Sequence, residues 1–335
     1  MHDSSGEHYN AAAVIGGGLI GASWTALFLT HGLRVTVHDP RPDIEPVVRA
    51  GLRAVAPTLK ELGMDVANLV EDTGTLRFDA NLAAAVADAD VVQENAPERL
   101  ELKQQLWAAI EAAAKPDALL ASSSSALPAT AIAEQMRQPE RLIIAHPFNP
   151  PHLVPLVEVV PGPRTDPALA ERAVAFYKAM GKRPQLLRRE IPGFVANRLQ
   201  GALFRESVHL VSQGVVTEQE LDEIVTSSIG LRWAIAGPFQ TYHLGGGPRR
   251  PAGIPGALRE NDRGDLVFPR GPVPRRAHRR AARRAGTTLR RHRGAARHQA
   301  RPGDCPTHPY PARDPSPRRQ ITSTDLELHA QHQIG

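Results

Sequence analysis

Residues 11–30 read AAAVIGGGLIGASWTALFLT, an apolar strand that runs into a glycine loop and then directly into an apolar helix. That junction constrains the chain more than any other feature. Ala12-Ala13-Val14-Ile15 has no polar alternation, so it belongs inside a sheet covered on both faces. Gly16 permits a tight turn, Gly18 lets another group approach the backbone, and Gly21 lets the helix Leu19–Thr30 pack closely on the strand. Residues 9–30 carry no formal charge, but the glycines divide them, so we read a strand and a helix rather than a membrane span.

The alternation continues. Strands are expected at 33–37, 90–93, 117–121 and 141–145, with helices at about 43–62, 99–114 and 127–136. Apolar strands separated by helices predict an α/β fold with a doubly wound, mostly parallel sheet. In that setting Gly16-x-Gly18-x-x-Gly21 suits a dinucleotide, because the free N–H groups where the helix opens, at Leu19 and Ile20, attract a pyrophosphate. Asp39 ends the next strand, where its carboxylate can accept from ribose hydroxyls and would repel a 2′-phosphate. NAD is therefore expected over NADP, with Arg41 close by as a complication.

The stretch RLIIAHPFNPPHLVPLVEVV, residues 141–160, joins two apolar strands through a proline-rich turn. It leaves His146 where the first strand stops and Glu158 inside the second. Ligands of parallel sheets bind at the carboxyl edge, which gives His146 a functional reading beside that of an ordinary loop histidine. An acid surrounded by Leu and Val is turned outward or paired; paired with His146, it would fix the imidazole tautomer. Ser122 to Ser125 also follow the apolar end of a strand, and Asn197 lies in the first turn of a helix after Pro192-Gly193.

Beyond about residue 189 the pattern is helical, with one helix over Phe194–Gln213 and a second opening at Thr217 with Glu220 as a capping box. At about 247 it breaks. Residues 248–335 hold 19 Arg, no Lys, 7 acids and 12 Pro, a net +12, which leaves −7 for residues 1–247 within the total of +5. With no apolar periodicity, this tail is expected to be disordered. Its Arg, Pro, Ala and Gly excess reads better as out-of-frame, GC-rich sequence than as a nucleic-acid arm, and an acidic body is poorly suited to a nucleic-acid backbone. The expected domains are 1–188, 189–247 and the tail 248–335. Cys305 is the single cysteine and MHDSSGEH carries no basic run, so a reducing, cytoplasmic setting is expected, with no membrane, nucleic-acid or metal partner.

The glycine loop, SSSSALP, IAHPFNP, PLVEVV and IPGFVANRLQ occur in the order found in the 3-hydroxyacyl-CoA dehydrogenase family, which residues 10–247 resemble. The resemblance implies a Rossmann domain, a helical C-terminal domain that forms a homodimer, and NAD-dependent oxidation of a 3-hydroxyl to a ketone in fatty acid metabolism. It implies His146 as general base, Glu158 as its partner, Ser124 as the catalytic serine (Ser125 one residue off), and Asn197 as a substrate contact. Glu98 and Lys103, in PERLELK, match positions near the nicotinamide half of the cofactor. The substrate implied is a 3-hydroxyacyl-CoA. AHPFNPP and LRWAIAGPFQTYHL point instead to the branch that includes L-gulonate 3-dehydrogenase, carnitine dehydrogenase and lambda-crystallin, which acts on free hydroxy acids. Lambda-crystallin adds a structural role as an alternative. About two helices precede the break, so an incomplete C-terminal domain and a lost dimer are expected.

Overall fold

The computed structural model describes residues 9–71 and 73–245, so the tail 248–335 lies outside the described residues. The chain runs β1 (Ala11–Ile15), α1 (Leu19–Thr30), β2 (Arg34–His38), α2 (Ile44–Glu61), α3 (Ala67–Val70), β3 (Leu76–Phe78), α4 (Leu82–Ala87) and β4 (Val91–Glu94). It continues through α5 (Leu100–Ala113), β5 (Leu119–Ser122), α6 (Ala129–Ile132), β6 (Leu142–Pro147), β7 (Leu156–Val160), α7 (Pro167–Ala179) and β8 (Arg183–Leu186). The strands form one sheet in the order β3-β2-β1-β4-β5-β6-β7-β8, a Rossmann-type arrangement. All neighbours are parallel except β6 and β7.

Residue pattern explains the two layers. Ile44, Val48, Leu52, Ala56 and Leu59 of α2 recur every three or four residues and bury one stripe. α1 is apolar nearly all round, and eight of its residues are buried, Trp24 and Phe28 completely. One core, with Val14, Phe28, Val35, Leu52 and Phe176, covers one sheet face; the other, with Ile15, Trp107, Ile110, Leu120 and Ile144, covers the opposite face. Strand order reverses between β1 and β4, which opens a crevice at their carboxyl ends.

Three expected elements differ from what forms. The 127–136 helix is α6 followed by a 3-10 turn at Ala133–Gln135, because the Gln104 side chain donates to the Ala131 carbonyl (2.8 Å), which a longer helix would use. The Phe194–Gln213 helix begins only at Ala196, as α8 (Ala196–Ser212). Phe194 has φ +51° and is fully buried in the second core. The first compact unit accordingly ends at Gly201. Four helices rather than two are described in the helical region: α8, α9 (Glu218–Ser227), α10 (Ile229–Ile235) and α11 (Pro238–Gly245). Thr217 and Glu220 form the expected capping box. The apolar side chains Phe204, Ile224 and Phe239 are 68%, 55% and 77% exposed. No helix among the described residues is long and apolar enough to cross a membrane.

Candidate active site

The glycine loop lies at the reversal between β1 and β4. Gly16 has φ +91°, and a Cβ there would sit 2.9 Å from the Asn95 carbonyl oxygen, so only glycine fits against the β4–α5 loop. A Cβ on Gly21 would sit 1.8 Å from the Gly16 carbonyl oxygen, so helix, strand and loop meet there without room for a side chain. Gly18 differs: nothing lies within 4 Å of its Cβ position. Internal packing does not require glycine at 18; an approaching ligand would. No side chain caps α1, Leu19 is 72% exposed, and its first-turn N–H groups are left for an anion. Asp39 accepts from the Gly17 N–H (2.9 Å) and pairs with Arg41 through two further bonds (2.9 and 3.0 Å). Arg41 is thus held by the acid rather than free to receive a 2′-phosphate. These residues fit NAD. Asp39→Asn is expected to narrow the preference for NAD over NADP by about tenfold, 1.4 kcal/mol, in calorimetric titrations of both nucleotides.

His146 and Glu158 face each other across the β6–β7 ladder. The imidazole Nδ1 lies 2.9 Å from Glu158 Oε2, with the side chains 6% and 2% exposed. The other carboxylate oxygen accepts the backbone N–H groups of Val195 and Ala196, both at 3.0 Å. Glu158 therefore caps the start of α8 while it orients the histidine. Phe148 and Phe194 flank the imidazole at 4.9 and 5.5 Å, and Nε2 has no hydrogen-bond partner among the described residues.

The serine run is organised by Glu98. Its Oε1 accepts from the Ser124 hydroxyl (2.6 Å) and from the N–H groups of Ser125, Ala126 and Leu127 (3.0, 2.9 and 3.2 Å). The Ser124 hydroxyl also accepts from Leu127 N–H (3.0 Å), and Ser124 is 1% exposed. That hydroxyl faces inward, where the resemblance had placed the catalytic serine. Ser125 is the exposed member of the run, and its carbonyl accepts from Asn197 Nδ2 at 2.9 Å. Lys103 is also sealed, at 1% exposed. Its ammonium donates to Glu94 Oε1 (2.6 Å) and the Ala96 carbonyl (3.1 Å), and Glu98 Oε2 lies 3.6 Å away.

Burial would raise the carboxyls of Glu158 and Glu98, but specific donors outweigh it. For Glu158 these are His146, then the Ala196 and Val195 N–H groups; for Glu98, Ser124, the Ala126 N–H and the charge of Lys103. Both are held below the ordinary glutamate value of 4.5. A carboxyl depressed on folding adds stability that is complete above its unfolded value and is lost as pH falls through the lower folded value. The thermal midpoint is therefore expected to fall as pH drops below 4.5, and Glu98→Gln should make that fall shallower in a pH series.

The structure thus brings Gly16, Gly18, Leu19, Ile20, Gly21 and Asp39 to the crevice. It joins His146 to Glu158, and Glu98 to the serine loop and, through Ser125, to Asn197. Sequence reasoning did not find Glu94, whose carboxylate gathers Lys103, Ser122 (2.5 Å), Trp107 (3.3 Å) and Ala96 N–H (2.6 Å). An acid closing an apolar strand was the available signal. Nor did it find Gly17, where a Cβ would sit 2.6 Å from Ile44.

The family described as 3-hydroxyacyl-CoA dehydrogenase, NAD binding domain, matches residues 11–190, and its C-terminal domain matches 193–252. An L-carnitine dehydrogenase of Streptomyces coelicolor is 46% identical over 246 residues, covering 73% of this chain and 76% of that protein. A 3-hydroxyacyl-CoA dehydrogenase of Gibberella moniliformis is 44% identical over 242 residues, covering 72% and 74%. Among solved structures, the 3-hydroxybutyryl-CoA dehydrogenase of Escherichia coli matches with a TM-score of 0.58 at 31% identity, over 63% of this chain and 44% of that one.

Proposed function

The chain belongs to the 3-hydroxyacyl-CoA dehydrogenase family, and from that premise we propose that it oxidises the 3-hydroxyl of a small free hydroxy acid of the L-carnitine type, in the cytoplasm. NAD supplies the hydride acceptor when bound. The observation that carries the reading is the buried His146–Glu158 pair on the carboxyl edge of a sheet whose glycine loop fits NAD. His146 Nε2 takes the hydroxyl proton as general base. Glu158 accepts a hydrogen bond from the Nδ1–H, which fixes the tautomer and stabilises the imidazolium. Ser125 donates to the reacting oxygen, in place of the inward-facing Ser124, and Asn197 steadies the serine loop through the Ser125 carbonyl. Glu98 keeps that loop in register, and Lys103 acts from behind Glu98 rather than by touching NAD.

The carnitine type is favoured over the CoA ester by the 46% likeness to L-carnitine dehydrogenases of Streptomyces coelicolor and of Pseudomonas putida. The ring of Phe148 beside His146 could also face a quaternary ammonium. Incubation of the full chain with NAD and either L-carnitine or 3-hydroxybutyryl-CoA, followed by NADH absorbance, tests this. Faster reduction with L-carnitine is expected. Faster reduction with the CoA ester would move the proposal to the second reading, which the Gibberella moniliformis relative favours.

A further inference from the structure

The turn between His146 and Glu158 is fastened from outside. Residues 148–155 make only two bonds of their own, from the Leu153 and Val154 N–H groups to the Pro150 carbonyl (both 3.0 Å). Pro147, Pro150, Pro151 and Pro155 have no N–H to give. The carbonyls of Pro151 and Val154 therefore need donors from elsewhere, and both receive them from one group, the ammonium of Lys182. Lys182 is 7% exposed and follows Gly181, whose φ of +71° turns the chain from α7 into β8. Its ammonium also stands over the Trp24 ring of α1, 5.9 Å from the centroid. The neighbouring Arg183 N–H donates to the Pro155 carbonyl (2.8 Å). On the other side, Ser23 of α1 accepts from the His152 N–H (2.9 Å), and its hydroxyl shares a hydrogen bond with His152 Nδ1 (2.7 Å).

We infer that Lys182 is a positioning residue for the catalytic pair: its ammonium anchors the proline-rich turn and thereby holds Glu158 in register with His146. The inference rests on the reading of His146 and Glu158 given above. A lysine placed only for packing would be replaced by an apolar chain of similar length without effect on the pair. Burial lowers the ammonium to about 8, so it remains charged at neutral pH. Glu158 lies four residues beyond Val154, and it pairs in register with Gln185, three residues beyond Lys182. Both ends of that segment are therefore set by the same short stretch of chain.

The test uses the full chain with Lys182→Met, which keeps the apolar stem and removes both donors, and Lys182→Arg, which restores a charged donor. Steady-state kinetics should show kcat reduced about ten- to a hundredfold in Lys182→Met with KM for NAD unchanged, and partial recovery in Lys182→Arg. Proton NMR of the imidazole N–H shared with Glu158, identified by its loss in Glu158→Gln, should show faster exchange with water in Lys182→Met. A folded Lys182→Met with wild-type kcat and an unaltered proton signal overturns the inference, whatever its thermal midpoint. If Lys182→Met does not fold, Lys182→Gln, which removes the charge and shortens the side chain but keeps an amide N–H donor group, is read by the same two criteria. Full activity in His146→Gln would defeat the general-base reading separately, and the NMR comparison would still decide the positioning role.

Discussion

Replacing His146 by Gln is expected to lower kcat by about 10²–10⁴ while leaving NAD affinity unchanged. Oxidation of the alcohol requires its proton to leave as hydride departs, and an imidazole is the group on this edge suited to accept it. Its Nδ1 is already engaged by Glu158 at 2.9 Å, which leaves Nε2 for the substrate. Gln is close to the imidazole in size and can still hydrogen-bond Glu158, so folding should survive. The glycine loop and Asp39, the residues proposed to hold NAD, share no hydrogen bond with His146. NADH formation with the preferred hydroxy acid, beside calorimetry with NAD, separates the two effects. Turnover within a few-fold of wild type would exclude the role.

The second large effect concerns stability. Lys103 and Glu94 are 1% and 0% exposed and form a 2.6 Å ion pair beneath the β4–α5 loop. Such a pair adds little over a well-packed apolar replacement, but removal of one partner strands a buried charge, at a cost of about 3–5 kcal/mol. Lys103→Met should therefore lower the thermal midpoint by roughly 6–20 °C for a domain of this size. Glu94 would keep the Ser122, Trp107 and Ala96 donors, which compensate part of its charge. Adding Glu94→Gln removes the stranded charge and keeps an acceptor, so the double variant should regain most of the loss. Calorimetric scans of the three proteins check this. A midpoint for Lys103→Met within 2 °C of wild type, on the order of 1 kcal/mol or less, would contradict it.

The sheet was readable where strand and helix periods are clean. Ala12–Ile15, Leu19–Thr30 and the 141–160 joint need nothing beyond local pattern, and each forms within a residue or two of expectation. β8 is RPQL, a short segment with no strand pattern, and it exists because β7 offers it a pairing edge. α7 did carry a signal, Asp166 before Pro167 and then Leu169, Ala170, Ala173 and Phe176 at helical spacing. The glycine loop was legible because each glycine answers a steric demand of the turn or the ligand. The His146–Glu158 contact was legible because a hairpin with a rigid turn leaves few registers. The capping of α8 by Glu158, the inward turn of Ser124 and the reach of Lys182 were not. Each is set by side chains that arrive from distant parts of the chain, and no local period records them.

The central claim is that His146 and Glu158 act as one acid–base unit in an NAD-linked dehydrogenase. A double-mutant cycle in kcat, with His146→Gln, Glu158→Gln and both together, measures that most directly. Groups that work as a unit are strongly non-additive, so the double variant should lose about as much as His146→Gln alone. Multiplied losses in the double variant, or full turnover in either single variant, would contradict the account.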